Sequence, residues 1–263
     1  MKHRILPIAA IIALLASCAT VPETGRNQVI LISPQEEARQ SAMAFSTLKR
    51  QSKISNNPTY NTQVRRVGNR IARVAPVQAS WEFVVFDNNE PNAFALPGGK
   101  IGIHTGLFRI VKDDAMLATV IGHEIGHVVA RHGAERASQG MLVQLGGTAL
   151  NAGLSSQSGM SPGAASTILG AYGAGAQLGV ILPYSRVQEY EADRLGLIYM
   201  ARAGYDPRAA LRFWKAFREY SRQRGGSQTP VYLRTHPLDD ARIANLEKLM
   251  PMALDEYRKA GGR

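Results

Sequence analysis

The sequence predicts an α+β fold that is mainly helical, with one small sheet confined to residues 81–105. Three observations carry this reading. Apolar residues recur at helical spacing along most of the chain, as at Val64, Val67 and Ile71, with arginines on the opposite face. The period changes only at Trp81-Glu82-Phe83-Val84-Val85-Phe86, a run rich in aromatic and β-branched residues that suits a strand. The chain has 263 residues, 45% of them hydrophobic and 19% charged, with a single cysteine. That length holds one domain of moderate size, or at most two small ones, with a core that needs no disulfide.

Residues 1–17 stand outside this fold. Lys2, His3 and Arg4 precede an apolar run from Ile5 to Ala16, the layout of a secretory signal peptide and too short to span a bilayer. The run ends in Leu15-Ala16-Ser17-Cys18, which resembles the lipobox of bacterial lipoproteins. That resemblance implies cleavage before Cys18, a lipid on Cys18 as the membrane anchor, and, with Ala19 next, the periplasmic face of the outer membrane. Loss of Lys2 and Arg4 lowers the formal charge from +11 to +9. An exported protein of this charge meets anionic headgroups or acidic protein surfaces, not nucleic acid.

Residues 18–32 read as a tether, because Pro22, Gly25 and Asn27 interrupt any period. Residues 33–263 read as the folded domain. Ser33-Pro34-Gln35-Glu36-Glu37 is a helix start, with a Ser cap, a proline in the first turn and acids behind it; this helix runs to about Ser52. A second helix covers about Thr59 to Val74. After the strand from Trp81, Asn88 to Asn92 form a turn, and Ala93 to Leu96 and Lys100 to His104 form two strands joined by Pro97-Gly98-Gly99. Helices follow near 113–132, 186–203, 207–222 and 238–260. The stretch 137–185 contains no Asp, Glu, Lys, Arg or His and is filled with Gly, Ala, Leu, Ser and Gln. It reads as a helical hairpin or lid, packed on the domain or lying at a membrane surface, that covers a cleft.

The central motif is His123-Glu124-Ile125-Gly126-His127, within an amphipathic stretch from Leu117 to Arg131. Histidines four apart on a helix share a face, so both rings reach one ion. Zn²⁺ accepts neutral imidazole, and a catalytic site keeps one position for water. Glu124 is placed to act as the base toward that water. Gly133 stands where a third histidine of the metzincin spacing would fall, so the remaining ligand is sought among downstream acids. The helix opening at Tyr184 offers Glu189, Glu191 and Asp193. Glu189 and Asp193 share a face while Glu191 points elsewhere, an arrangement suited to one carboxylate on the metal and a second that orients a histidine. Gly196 permits close helix approach beside them. His104 and His132 read as structural.

His123-Glu124-Ile125-Gly126-His127 followed by Ser185-Arg186-x-x-Glu189-x-x-Ala192-Asp193 resembles metallopeptidase family forty-eight, the HtpX-like and CAAX prenyl protease-like gluzincins. The likeness extends to Asn92-Ala93-Phe94-Ala95-Leu96-Pro97-Gly98-Gly99 and to Thr235-His236-Pro237 with Arg242, over about residues 34–250. It is nearest to the periplasmic BepA-like and LoiP-like branch. It implies a zincin domain holding one Zn²⁺ per chain on His123, His127 and Glu189, with Glu124 as base and Asp193 behind a ligand. His236 is implied near the zinc, in the open position of a resting site or polarising the scissile carbonyl. Arg242 is a further electrophile or a clamp. Asn92, Ala93, Phe94 and Ala95 are an edge strand for substrate backbone, or a plain core strand.

Together these features predict a zinc endopeptidase acting on unfolded or misassembled polypeptides of a bacterial cell envelope. A chaperone or assembly factor for outer-membrane proteins, with latent proteolysis, is the alternative. A second copy of the chain and the outer-membrane assembly machinery stand as the further partners.

Overall fold

The structure is a computed structural model and describes residues 18–157, 159–177, 181–224 and 229–262. The expected signal peptide, residues 1–17, lies outside the described residues. The chain opens on a β-hairpin, β1 (Cys18–Thr20) paired antiparallel with β2 (Asn27–Val29). Helix α1 (Pro34–Gln51) starts where Ser33 Oγ accepts from the Glu36 N–H, and α2 (Pro58–Ala72) starts on the same kind of cap from Asn57. A three-stranded sheet follows from β3 (Glu82–Phe86), β4 (Ala93–Leu96) and β5 (Lys100–His104). Its order is β3-β5-β4, with β3 parallel and β4 antiparallel to the central β5, so one side of β4 is a free sheet edge.

The remaining elements are helical: α3 (Asp114–Val129), α4 (His132–Ser155), α5 (Pro162–Ala176), α6 (Leu182–Arg202), α7 (Ala209–Gln223), the short α8 (Val231–Thr235) and α9 (Asp240–Lys259). The α+β class read from the sequence holds, and so do the three strands of the sheet.

Helix α3 runs through the middle of the core. It is buried nearly all round, packed among α2, α6, α7 and the sheet. Its approach to α6 depends on glycines. A Cβ on Gly196 would meet the His123 backbone N at 2.8 Å, and one on Gly122 would meet the Gly196 carbonyl O at 2.9 Å. Without those side chains the two backbones come into contact, and the two stretches that carry the site's chemistry face each other.

Two expectations need correction. Residues 18–32 are not a free tether: Val21, Gln28 and Ile30 are buried, and the hairpin packs on the domain. The predicted helix over 113–132 is one helix but stops at Val129, because Arg131 adopts a left-handed backbone (φ 53°) that ends α3 and redirects α4 from His132. Helices α4 and α5 form the expected uncharged hairpin, tied where Tyr172 Oη donates to the Val143 carbonyl at 3.0 Å. No described residue from 139 to 187 is buried, so the hairpin stands out from the domain, with Met141, Leu142, Leu145 and Ile168 exposed. Among the described residues, no helix is long and apolar enough to cross a membrane.

Candidate active site

α3 contributes His123, Glu124 and His127, α6 contributes Glu189 and Asp193, and the turn after α8 contributes His236; all six are buried. His123 Nε2 lies 3.1 Å from His127 Nε2 and 3.3 Å from Glu189 Oε2. His127 Nε2 lies 3.2 Å from Glu189 Oε1. His236 Nδ1 closes the group, 3.1 Å from His123 Nε2 and 3.0 Å from Glu189 Oε2. One ligand atom from each of these four side chains falls within 4.8 Å of the other three.

The other ring nitrogens are committed elsewhere. His123 Nδ1 donates to Asp193 Oδ1 at 2.9 Å, which leaves Nε2 as the ring atom that faces the cluster. Arg242 grips that carboxylate from behind, Nε to Oδ2 at 2.7 Å and Nη2 to Oδ1 at 2.8 Å, and its Nη1 lies 3.1 Å from Glu189 Oε2. The guanidinium is fully buried and stacks 4.3 Å from the Trp214 ring centroid. It does not line the cleft, which favours the clamp among the two roles open to it.

These separations suit a metal. Tetrahedral zinc with ligand distances of about 2.0–2.1 Å sets its ligands about 3.3 Å apart, close to the spacings above. Burial disfavours charge on His123, but hydrogen bonds to Asp193 and Glu189 outweigh it and raise its pKa to about 9. Burial pushes His127 well below the ordinary histidine value. Glu189 sits well below the usual carboxylate range because the surrounding histidines outweigh its desolvation. This anion among imidazoles is the donor set of a cation site.

A cleft of about 320 Å³ opens over the cluster, lined on one side by Asn92 to Ala95 and on the other by Glu124, His127, Glu189, Thr235 and His236. The roots of the uncharged hairpin, Arg136 and Ser185, also line it, whereas no described residue of the hairpin shaft does. Glu124 Oε1 is buried, has no hydrogen-bond partner and lies 3.4 Å from His236 Nε2. An unpaired buried carboxylate oxygen is costly unless something else comes to it.

Peptidase family M48 matches residues 58–250, which is more than half of the chain. The chain belongs to peptidase family M48. Membership brings with it the enzyme class, a metalloendopeptidase, and the cofactor, one zinc ion per chain, for which the four-residue cluster provides the place. The chain is 31% identical over 239 residues to the beta-barrel assembly-enhancing protease of Yersinia pestis, covering 88% of this chain and 47% of that protein. It is 34% identical over 187 residues to the mitochondrial metalloendopeptidase OMA1 of Saccharomyces cerevisiae, covering 68% of this chain and 50% of that protein. The chain thus spans about half the length of these curated relatives.

The structure brings His123, Glu124, His127, Glu189, Asp193, His236 and Arg242 together and sets Asn92 to Ala95 along the cleft. His104 stays apart, bonded through Nδ1 to the Glu90 carbonyl. Two contributors escaped the sequence. His132 is not a bystander, since its Nδ1 lies 2.7 Å from His127 Nδ1. Glu191 does point away from the cluster, but toward His132. The kink at Arg131 supplies the turn that a continuous helix would not make, and no local pattern marks it. Tyr232 lies under His236, with ring centroids 4.6 Å apart.

Proposed function

We propose that the protein hydrolyses peptide bonds within unfolded or misassembled proteins of a bacterial cell envelope. The observation that carries this reading is the position of Glu124. Its unpartnered carboxylate oxygen is buried beside the His123, His127, Glu189 and His236 cluster, in a cleft that also contains a free strand edge. A strand edge accepts backbone and not a fixed sequence, which suits substrates that have lost their fold.

In this reading His123, His127 and Glu189 hold the zinc. When bound, zinc supplies Lewis acidity toward a peptide carbonyl and toward water. Glu124 takes the proton of the attacking water and delivers it to the leaving amine. Asp193 fixes the orientation of His123, and Arg242 fixes Asp193. The substrate strand lies along Asn92, Ala93, Phe94 and Ala95. In the resting chain His236 fills the fourth position of the cluster. It swings out when substrate arrives, so its part in this reading is to gate the site.

The envelope compartment, the signal peptide and a lipid on Cys18 belong to the same proposal. The support is the Leu15-Ala16-Ser17-Cys18 sequence and the printed name of the Yersinia pestis relative. The alternative, an assembly factor for outer-membrane proteins with latent proteolysis, is favoured by the projecting uncharged hairpin and its exposed Met141, Leu142, Leu145 and Ile168. Such a surface would meet the assembly machinery, a membrane or a second copy of the chain.

The test is zinc content and casein cleavage for the wild type, Glu124→Gln and His236→Ala. The expected result is one zinc per chain in each. Cleavage falls by at least about 100-fold in Glu124→Gln and rises in His236→Ala. Zinc without cleavage in all three would remove the peptidase reading and leave the assembly factor. Activity of Glu124→Gln in an envelope-integrity assay would then measure that role.

A further inference from the structure

The N-terminal hairpin reaches the metal cluster through an unbroken line of side chains. His127 Nδ1 and His132 Nδ1 are 2.7 Å apart, and His132 Nε2 is 2.9 Å from Glu191 Oε2. That same oxygen accepts from Arg26 Nε at 2.8 Å, and Glu191 Oε1 accepts from the Thr24 hydroxyl. The rest of the Arg26 guanidinium makes a bidentate pair with Glu135, Nη1 to Oε1 at 2.7 Å and Nη2 to Oε2 at 2.8 Å. Glu135 is held on its other side by Gln188 Nε2 at 2.7 Å. His132, Glu135, Gln188 and Glu191 are all buried, and Arg26 is the cation that answers both carboxylates.

Proton placement along this line has one consistent solution. An ionised carboxylate only accepts, so His132 Nε2 must donate to Glu191. Neutral His132 then carries its lone pair on Nδ1, which accepts from His127 Nδ1–H. His127 is left with a lone pair on Nε2, the atom that faces His123 and Glu189 in the cluster. The alternative, a proton on His127 Nε2, would aim a donor at the place where a cation belongs.

We propose that His132, Glu191 and Arg26 are positioning residues for the zinc ligand His127, so that the hairpin of residues 18–29 is a working part of the metal site. The inference rests on the metallopeptidase reading of the cluster. It gives the site two supports of different origin: Asp193 and Arg242 hold His123 from α6 and α9, whereas His127 is held from the extreme N-terminal end of the described chain. Helices α4 and α6, which contribute Glu135 and Glu191, are separated in sequence by the whole uncharged hairpin, and Arg26 joins them at its roots beside the direct Gln188–Glu135 and His132–Glu191 contacts.

The test is the zinc dissociation constant of wild type, Arg26→Gln, His132→Leu and His132→Gln by competition with a chromophoric chelator, with metal-free melting temperatures measured alongside. Outer partners of a zinc-bound histidine typically govern affinity by 10–100-fold. His132→Leu and Arg26→Gln should therefore bind zinc about 10–100-fold more weakly. His132→Gln keeps an acceptor for His127 and a donor for Glu191, and should recover to within about threefold of wild type. Equal dissociation constants in all four, with only the metal-free melting temperatures moved, would reduce these residues to a brace and overturn the inference. If His132→Leu fails to fold, Arg26→Gln at its partly exposed site decides by the same comparison. A wild type that binds no zinc would sink the metallopeptidase reading itself, a result distinct from equal affinities.

Discussion

Arg242 and Asp193 form a two-point pair wholly inside the protein, Nε to Oδ2 at 2.7 Å and Nη2 to Oδ1 at 2.8 Å, and the carboxylate's remaining commitment is to His123. Charges from α9 and α6 thus meet behind a ring from α3. The guanidinium holds the Asp193 carboxyl below the usual carboxylate range against the opposing effect of burial.

Replacing Arg242 with Ala leaves Asp193 buried and unanswered, and a broken buried pair costs about 3–5 kcal/mol. Lys at 242 keeps a charge but neither the fork nor the stack on Trp214, so it should recover only part of that loss. Urea unfolding of the metal-free chain measures both. Zinc affinity should fall in the same order, Ala below Lys below wild type. Unchanged stability and affinity in Arg242→Ala, with slower cleavage alone, would return Arg242 to the role of a substrate electrophile.

Gly196→Ala probes the helix contact that brings the ligands together. The added Cβ would meet the His123 backbone N at 2.8 Å and the Gly122 carbonyl carbon at 3.0 Å. Neither backbone atom can swing aside, so α3 and α6 must separate. Overpacking of this kind costs about 1–3 kcal/mol. The separation also draws Glu189 away from His123 and His127, and zinc affinity should drop with stability. A variant with wild-type melting temperature and zinc affinity would mean that the two helices have slack at this point.

What could be read in advance and what could not divide along physical lines. His123 and His127 were legible because a helix converts a spacing of four into a shared face, and Glu124 from its place beside the first of them in the H-E-x-x-H pattern. Glu189 and Asp193 were legible on the same periodic ground. The short strands 93–96 and 100–104 were marked by their intervening Pro97-Gly98-Gly99. The hairpin 18–29 was not legible, because its strands of three residues are too short to show alternation. Its docking rests on Arg26 reaching Glu135 and Glu191, more than a hundred residues away. The role of His132 was hidden by the same kind of gap. On a continued helix it would face away from the ligands, and only the left-handed backbone at Arg131 turns it back. Of the cover expected from residues 137–185, only Ser185 among the described residues lines the cleft, since apolar composition does not say which way a hairpin leans.

Glu82 gives a pH dependence away from the metal. Lys49 on α1 hydrogen-bonds to it and Lys100 lies 3.4 Å off; together they outweigh burial and hold its pKa below the ordinary value. A depressed folded-state pKa contributes stability at pH above the unfolded value, about 4.3 for Glu. That contribution disappears as pH falls through the lower folded value. Glu82 is about one-third exposed, so solvent screening limits the effect to about 0.5 kcal/mol. Wild type should therefore exceed Glu82→Gln by about that amount at pH 7, and the gap should close on acidification below about 4.3. A gap that persists unchanged in acid would assign the difference to packing.

The free edge of β4 yields the most direct test of substrate docking. His104 N–H donates to the Asn92 carbonyl at 2.9 Å, and antiparallel residues alternate between bonded and non-bonded pairs. The register pairs Ala93 with Ile103 and Ala95 with Ile101, so the N–H groups of Ala93 and Ala95 turn away from β5 toward the cleft. Proline at 95 removes one outward donor while sparing the ladder, which an edge strand tolerates. If substrate backbone pairs there, Ala95→Pro should lose one intermolecular hydrogen bond, about 1 kcal/mol or roughly fivefold in kcat/KM. The loss should appear mainly in KM, because the bond forms before and during the reaction alike. Zinc affinity should stay at the wild-type value, since the hydrogen bonds that hold the cluster run to Asp193, His132 and Glu189 and not to residue 95. An Ala95→Pro enzyme with normal KM and normal zinc would place the substrate elsewhere in the cleft and leave β4 as an ordinary wall of the core.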